Sequence, residues 1–253
     1  MSRAGVLVGV GVGPGDPELL TLKAVRELRE ADRVFVPETA TSAGGAGRAE
    51  TVVAAHVAPE RLVRLGFAMG DAGERDARWD AAGAAIAEVV RGGGTTAFAT
   101  LGDPSVYSTF AYIVHTVRAL APAVTVRAVP GITAMQDLAA RTGAMLAEGT
   151  DSVALVPWTA GEARVRAALD TFETVVIYKG GRQLPRLLDV VREAGREEEA
   201  SVGTHLGLEG EVVSTAPALA AGPAPYFCTV LVTPERGGTP RGARLRDTEG
   251  SRA

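Results

Sequence analysis

Gly5-Val-Leu-Val-Gly-Val-Gly-Val12, followed at once by Gly13-Pro-Gly-Asp-Pro17, is the stretch that decides the fold. Its β-branched run reads as a buried strand, and the glycines and prolines that close it force a tight turn. Asp16 suits the cap of a following helix and Pro17 its first position, while Leu19, Leu22, Val25 and Leu28 recur at helical spacing as far as Asp32. A strand, a glycine turn and a helix in that order open a parallel α/β sheet.

The same alternation continues outward. Residues 33–37 read as a second strand, 50–58 as a helix and 61–65 as a strand. Residues 75–91, with Trp79, Ala82, Ile86, Val89 and Val90 in register, form an amphipathic helix that Gly92-Gly-Gly94 ends. A strand at 95–101 and a helix at 107–120 follow. Residues 39–48, small and polar with three glycines, read as a flexible loop, either a surface insertion or a lid over a site. Pro122 marks the expected boundary between two halves. Beyond it, strands are expected at 124–129, 152–157, 175–178, 201–206 and 226–232, with helices at 132–142, 163–169 and 184–194. The tail after Arg236 lacks an apolar pattern and reads as disordered.

The 253 residues are 46% hydrophobic and 22% charged, ordinary for a globular chain. With 26 basic and 30 acidic side chains the formal charge is −4, so no basic field exists to hold nucleic acid, and a small-molecule partner is expected. Lys23 and Lys179 are the only lysines. The single cysteine, Cys228, excludes an internal disulfide and a cysteine metal cluster, and His56 and His115 lack partners at metal spacing, so no metal site is expected. No apolar run approaches the roughly 20 residues of a membrane span, and Arg3 is not followed by a leader-like segment. The cytoplasm is the expected compartment.

Three turns carry the candidate chemistry: Gly9-x-Gly11-x-Gly13-Pro-Gly-Asp16, Thr100-Leu-Gly-Asp-Pro-Ser-Val-Tyr107, and Val129-Pro-Gly-Ile-Thr-Ala134. The first lacks the third glycine of a dinucleotide fingerprint, since Asp16 stands three residues after Gly13, and lacks the Gly-Lys-Ser/Thr of a phosphate loop. Each alone has a plain structural explanation: tight packing for the glycines, helix caps for Asp16 and Asp103. Two such turns facing one another across a cleft would make a ligand site.

Together with Val175-Val-Ile-Tyr-Lys-Gly180, these segments resemble the tetrapyrrole methylase family, and the resemblance runs from Val6 to about Val232. Within the family the chain is most similar to the branch that methylates carbon 20 of precorrin-2. That likeness is carried by Ala31-Asp-Arg-Val-Phe-Val-Pro37, by Tyr107-Ser-Thr109 after the Gly-Asp-Pro, by Leu146-Ala-Glu-Gly149 and by Pro225-Tyr-Phe227. The late loop Gly203-Thr-His-Leu-Gly207 departs from the pattern, which often has an acid and an arginine there.

The resemblance implies an α/β protein of two domains, residues 1–120 and 121–236, followed by the tail 237–253. It implies mixed, mostly parallel sheets, an interdomain cleft and a homodimer. It also implies S-adenosylmethionine as methyl donor, S-adenosylhomocysteine as product and a tetrapyrrole, precorrin-2, as acceptor. Carried over by motif, Pro14, Leu101, Gly102, Asp103, Val106, Thr133, Ala134, Lys179 and Leu208 would contact the donor, largely through backbone groups. Asp16, Asp103 and Tyr107, with Glu148 and His205 behind them, are the groups able to take a proton from the product. Arg48, beside the flexible loop, is a candidate for the acceptor's carboxylates. Another acceptor within the family, or a non-catalytic tetrapyrrole carrier, stays open.

Overall fold

The structure, a computed structural model, describes residues 4–39, 46–67, 72–218, 224–225 and 227–234. Five strands, β1 (Val6–Gly11), β2 (Arg33–Thr39), β3 (Leu62–Phe67), β4 (Thr95–Thr100) and β5 (Thr125–Val129), form one sheet in the order β3-β2-β4-β1-β5. Every neighbouring pair in it is parallel. Helices α1 (Leu22–Glu30) and α2 (Arg48–Ala54) cover one face over Val8, Val10 and Val36, while α3 (Ala72–Arg91) and α4 (Phe110–Leu120) cover the other over Leu7, Phe35 and Phe98. With both faces covered, β1 needs apolar side chains at nearly every position, which is why its sequence runs without alternation.

Two departures from the expected organisation have identifiable causes, one local and one of strand pairing. Helix α4 begins at Phe110 and not at Tyr107, because Tyr107 is left-handed, with φ 49°, and the Ser108 hydroxyl accepts from the Phe110 N–H at 3.1 Å. Strand β5, expected to open the second half, lies along β1 instead, from Val6 opposite Thr125 to Val10 opposite Val129. After crossing one face as α4 the chain returns at the open edge of β1, where the Gly5 carbonyl accepts from the Thr125 N–H at 3.0 Å.

One ion pair ties this edge strand to α1. Arg127 donates to both oxygens of Glu27 at 2.8 Å; the Glu27 side chain is 4% exposed and that of Arg127 48%. The asymmetry yields a prediction. Arg127→Ala strands a buried carboxylate and is expected to cost about 3 kcal/mol, whereas Glu27→Ala leaves a cation that water reaches and is expected to cost about 1 kcal/mol. Urea denaturation of the two variants measures the difference, and equal losses would refute it.

Helix α5 (Ala134–Thr142) then leads to a second sheet of β6 (Val153–Pro157), β7 (Thr174–Tyr178), β8 (Ala200–Thr204), β9 (Val212–Thr215) and β10 (Cys228–Val232), in the order β6-β7-β10-β8-β9. Here only β6 and β7 are parallel; β10 is antiparallel to both β7 and β8, and β9 is antiparallel to β8. Helices α6 (Glu162–Thr171) and α7 (Leu184–Glu193) bury Val175, Ile177 and Val230 on one face, and Leu138 of α5 packs with Val176 and Leu231 on the other. Strand β9 was not anticipated: its four residues have half-buried or exposed side chains and little apolar alternation, and its order comes from pairing with β8. Strand β8 stops at Thr204, two residues early, because His205 is left-handed with φ 53°. Residues 40–45 of the expected loop, Tyr226 and the expected tail lie outside the described residues. No described helix is long and apolar enough to cross a membrane.

Candidate active site

Because β1, β4 and β5 are parallel neighbours, their carboxyl ends share one edge of the sheet, and the three glycine turns leave it side by side. They are stitched together. The Val12 N–H donates to Thr100 O at 2.9 Å, the Gly102 N–H to Gly13 O at 2.8 Å, and the Gly131 N–H to Asp103 Oδ2 at 2.9 Å. The backbones are so close that a Cβ on Gly131 would lie 2.2 Å from Gly102 O and 2.8 Å from Gly11 Cα. Here glycine is needed for proximity and not for an unusual φ.

The second sheet supplies the facing wall. With β10 antiparallel to both its neighbours, β7 and β8 run the same way, so their ends meet the start of β10: Tyr178 lies opposite Thr229, and Thr204 opposite Cys228. Between the two sets of strand ends lies a cavity of about 180 Å³.

Of the residues expected to contact a donor, Pro14, Leu101, Gly102, Asp103, Val106, Thr133, Ala134 and Lys179 line this cavity, as do Tyr107, His205 and Arg48. Leu208 does not; it lies behind the wall against Gly15, its N–H donating to His205 O at 2.8 Å, and Leu206 takes the lining position. Asp16 also stays outside. Its carboxylate accepts from the Glu18 N–H at 2.8 Å as the cap of a short helix, and its backbone is packed against Gly207. Glu148 sits exposed on a turn away from the cavity. The lining also includes Tyr178, Gly203, Phe227, Cys228 and Thr229, which the sequence did not single out as contacts. Tyr178, Gly203 and Phe227 stood within quoted motifs; Cys228 and Thr229 are placed by the antiparallel register of β10, which has no local signature.

The ionisable groups of the lining are already engaged. Burial raises the pKa of Asp103, but hydrogen bonds from the Ser105 hydroxyl, the Ser105 N–H and the Gly131 N–H outweigh it, and the carboxyl titrates below the ordinary range. Such a carboxylate is a weak base and a strong clamp. Tyr107 donates its hydroxyl to Leu155 O at 2.9 Å, and burial raises its pKa, so the phenol keeps its proton. Its ring meets the Tyr178 ring edge-on at 5.6 Å, with Lys179 Nζ 5.4 Å from its centroid. Burial pushes the Tyr178 phenol up to about 12; its hydroxyl lies near Thr133 and the Met135 backbone without hydrogen-bond geometry to either. The Cys228 thiol, also buried, is pushed up to about 12 and stays unreactive.

His205 Nε2 lies 2.8 Å from Arg48 Nη2, and the Arg48 guanidinium sits 4.0 Å over the Phe227 ring. Burial and the Arg48 charge lower the pKa of His205, against a hydrogen bond to the Glu209 backbone that raises it. The ring is therefore neutral, with its lone pair turned to arginine. Tyr107, Lys179 and His205, with φ of 49°, 61° and 53°, are the non-glycine residues of positive φ among those described, and all three line the cavity. Backbone strain concentrated in this way is a mark of functional sites.

Residues 6–220 match the family described as Tetrapyrrole (Corrin/Porphyrin) Methylases. The chain is 34% identical over 245 residues to the precorrin-2 C(20)-methyltransferase of a Sinorhizobium species, covering 92% of this chain and 97% of that one. It is 32% identical to the cobalt-precorrin-2 C(20)-methyltransferase of Salmonella typhimurium, covering 90% and 96%. Among solved structures, the uroporphyrin-III C-methyl transferase of Thermus thermophilus complexed with S-adenosylhomocysteine superposes with a TM-score of 0.61 at 23% identity, covering 89% of this chain and 96% of that one. That last likeness is one of fold.

Proposed function

The chain belongs to the tetrapyrrole (corrin/porphyrin) methylases, and from that premise we propose that it transfers the methyl group of S-adenosylmethionine to carbon 20 of precorrin-2, giving precorrin-3A in cobalamin formation. The observation that carries the proposal is the convergence of the three glycine turns on one cavity that Lys179, just after β7, and Arg48, at the start of α2, also line.

The residues present fit such a donor. Pro14, Gly102, Thr133 and Ala134 offer backbone groups and small side chains at close range, and Leu101 and Val106 add apolar surface. When bound, the sulfonium supplies an already activated methyl group. The acceptor carbon is electron-rich through conjugation with pyrrole-type nitrogens, so the protein's task is alignment more than activation, and positioning alone is worth up to about 7–11 kcal/mol of a barrier.

No side chain of the lining is set up as a strong general base. Asp103 is ionised and held by three hydrogen bonds, Tyr107 keeps its proton, and the lone pair of His205 faces a guanidinium. The proton lost from the product therefore passes to solvent, and catalysis rests on placement.

The test is incubation with methyl-labelled donor and either metal-free or cobalt-containing precorrin-2, side by side. Label at carbon 20 of one pigment is the expected result. Donor binding with no label in either pigment would remove the carbon 20 assignment, and absence of donor binding would remove methyl transfer itself. The cobalt arm is included because the two relatives, one acting on each form, match this chain at 34% and 32%.

A further inference from the structure

We infer that Arg48 is a carboxylate anchor of this cleft, held in place by His205 and Phe227; the inference rests on the methyl-transfer reading above. The three residues come from distant parts of the chain: the first residue of α2, the residue after β8 and the residue before β10. One guanidinium nitrogen is fixed 2.8 Å from His205 Nε2, and the Phe227 ring lies 4.0 Å beneath the guanidinium carbon. Among the described residues no carboxylate pairs with Arg48, although eleven ion pairs tie other arginines to acids.

A partly buried cation without a counter-ion is costly, and burial lowers the Arg48 pKa accordingly. Histidine and phenylalanine are partners that hold a guanidinium without neutralising it. The remaining N–H groups are a planar fork suited to a carboxylate. Carboxylates enter such a cleft from two sources, the tetrapyrrole rim and the amino-acid end of the donor. His205 is on this view a positioning residue, its lone pair spent on orienting the fork.

Arg48→Gln in the full chain tests this, read by calorimetry with S-adenosylhomocysteine and by steady-state kinetics with precorrin-2. A rim carboxylate predicts that KM for the pigment rises by about 10- to 100-fold while the S-adenosylhomocysteine Kd holds; a donor carboxylate predicts that the Kd rises by that factor. Arg48→Lys, which keeps the charge and loses the fork, is expected to fall between. His205→Leu is expected to raise the same constant with kcat little changed, and His205→Gln, which restores an acceptor, to recover much of it. Both constants unchanged in Arg48→Gln, with wild type active, would overturn the anchor alone. A wild type that takes up neither compound would overturn the methyl-transfer reading and the anchor with it.

Discussion

Gly131→Ala is expected to lower stability by about 3 kcal/mol and to abolish donor binding. Its new Cβ would lie 2.2 Å from Gly102 O, and the atoms it meets belong to two other backbones and not to the tip of a side chain that can swing away. Relief requires the turns after β1 and β4 to separate, and that breaks the Gly131 N–H to Asp103 bond along with the collision. For a chain of this length the loss corresponds to a fall in melting temperature of about 6–12 °C. Gly143→Ala is the control. Gly143 ends α5 at φ 71° with nothing within 4 Å of the added carbon, so only left-handed strain is introduced, at about 1 kcal/mol. Scanning calorimetry and S-adenosylhomocysteine titration of the two variants decide the matter. If Gly131→Ala melts and binds like Gly143→Ala, the close approach of the three turns is not what builds the site.

The second large effect is expected at Asp103. Asp103→Ala removes the acceptor for two backbone N–H groups and a hydroxyl at once, and donor affinity is expected to fall by about 100-fold or more. A pH signature separates this from a generic packing loss. The folded-state pKa of Asp103 lies below that of an ordinary carboxyl, so its contribution to stability is complete above the unfolded value, 3.8, and is lost as pH falls through the folded value. The stability gap between wild type and variant should therefore be widest near neutrality and close progressively on acidification below about pH 4. Denaturant titrations from pH 7 to pH 3 measure it. A gap that stays constant across that range would mean that the charge on Asp103 contributes nothing.

Much of the scaffold was legible because its determinants are local. The run from Val6 to Val12, with its glycine and proline stop, names a buried strand and a turn, and the apolar spacing of α1 and α3 gives the covering helices. The turns at Gly102 and Gly131 were legible for the same reason, and with them most of one cavity wall. What the sequence could not supply depends on pairing. Strand β5 is fixed by an open edge beside β1, β9 by an open edge beside β8, and the start of β10 by insertion between β7 and β8. The lining residues Phe227, Cys228 and Thr229 follow from that insertion. Nor does any local rule place a tyrosine or a lysine at positive φ, since the preference there is for glycine and, among other residues, for asparagine, aspartate and histidine. The union of Arg48 and His205, 157 residues apart, exists only in the assembled fold.

The three left-handed residues around the cleft set hardiness against usefulness. Each holds a conformation that glycine would adopt with roughly 1–2 kcal/mol less strain. Directed evolution for heat tolerance alone would reward glycine at 107, 179 and 205, and every such step would strip a ring, an ammonium or an imidazole from the wall. Selection on melting behaviour and selection on turnover should thus pull apart first at these positions. A more robust version of the protein is better sought on the exposed faces of α6 and α7, whose residues are not among those lining the cleft.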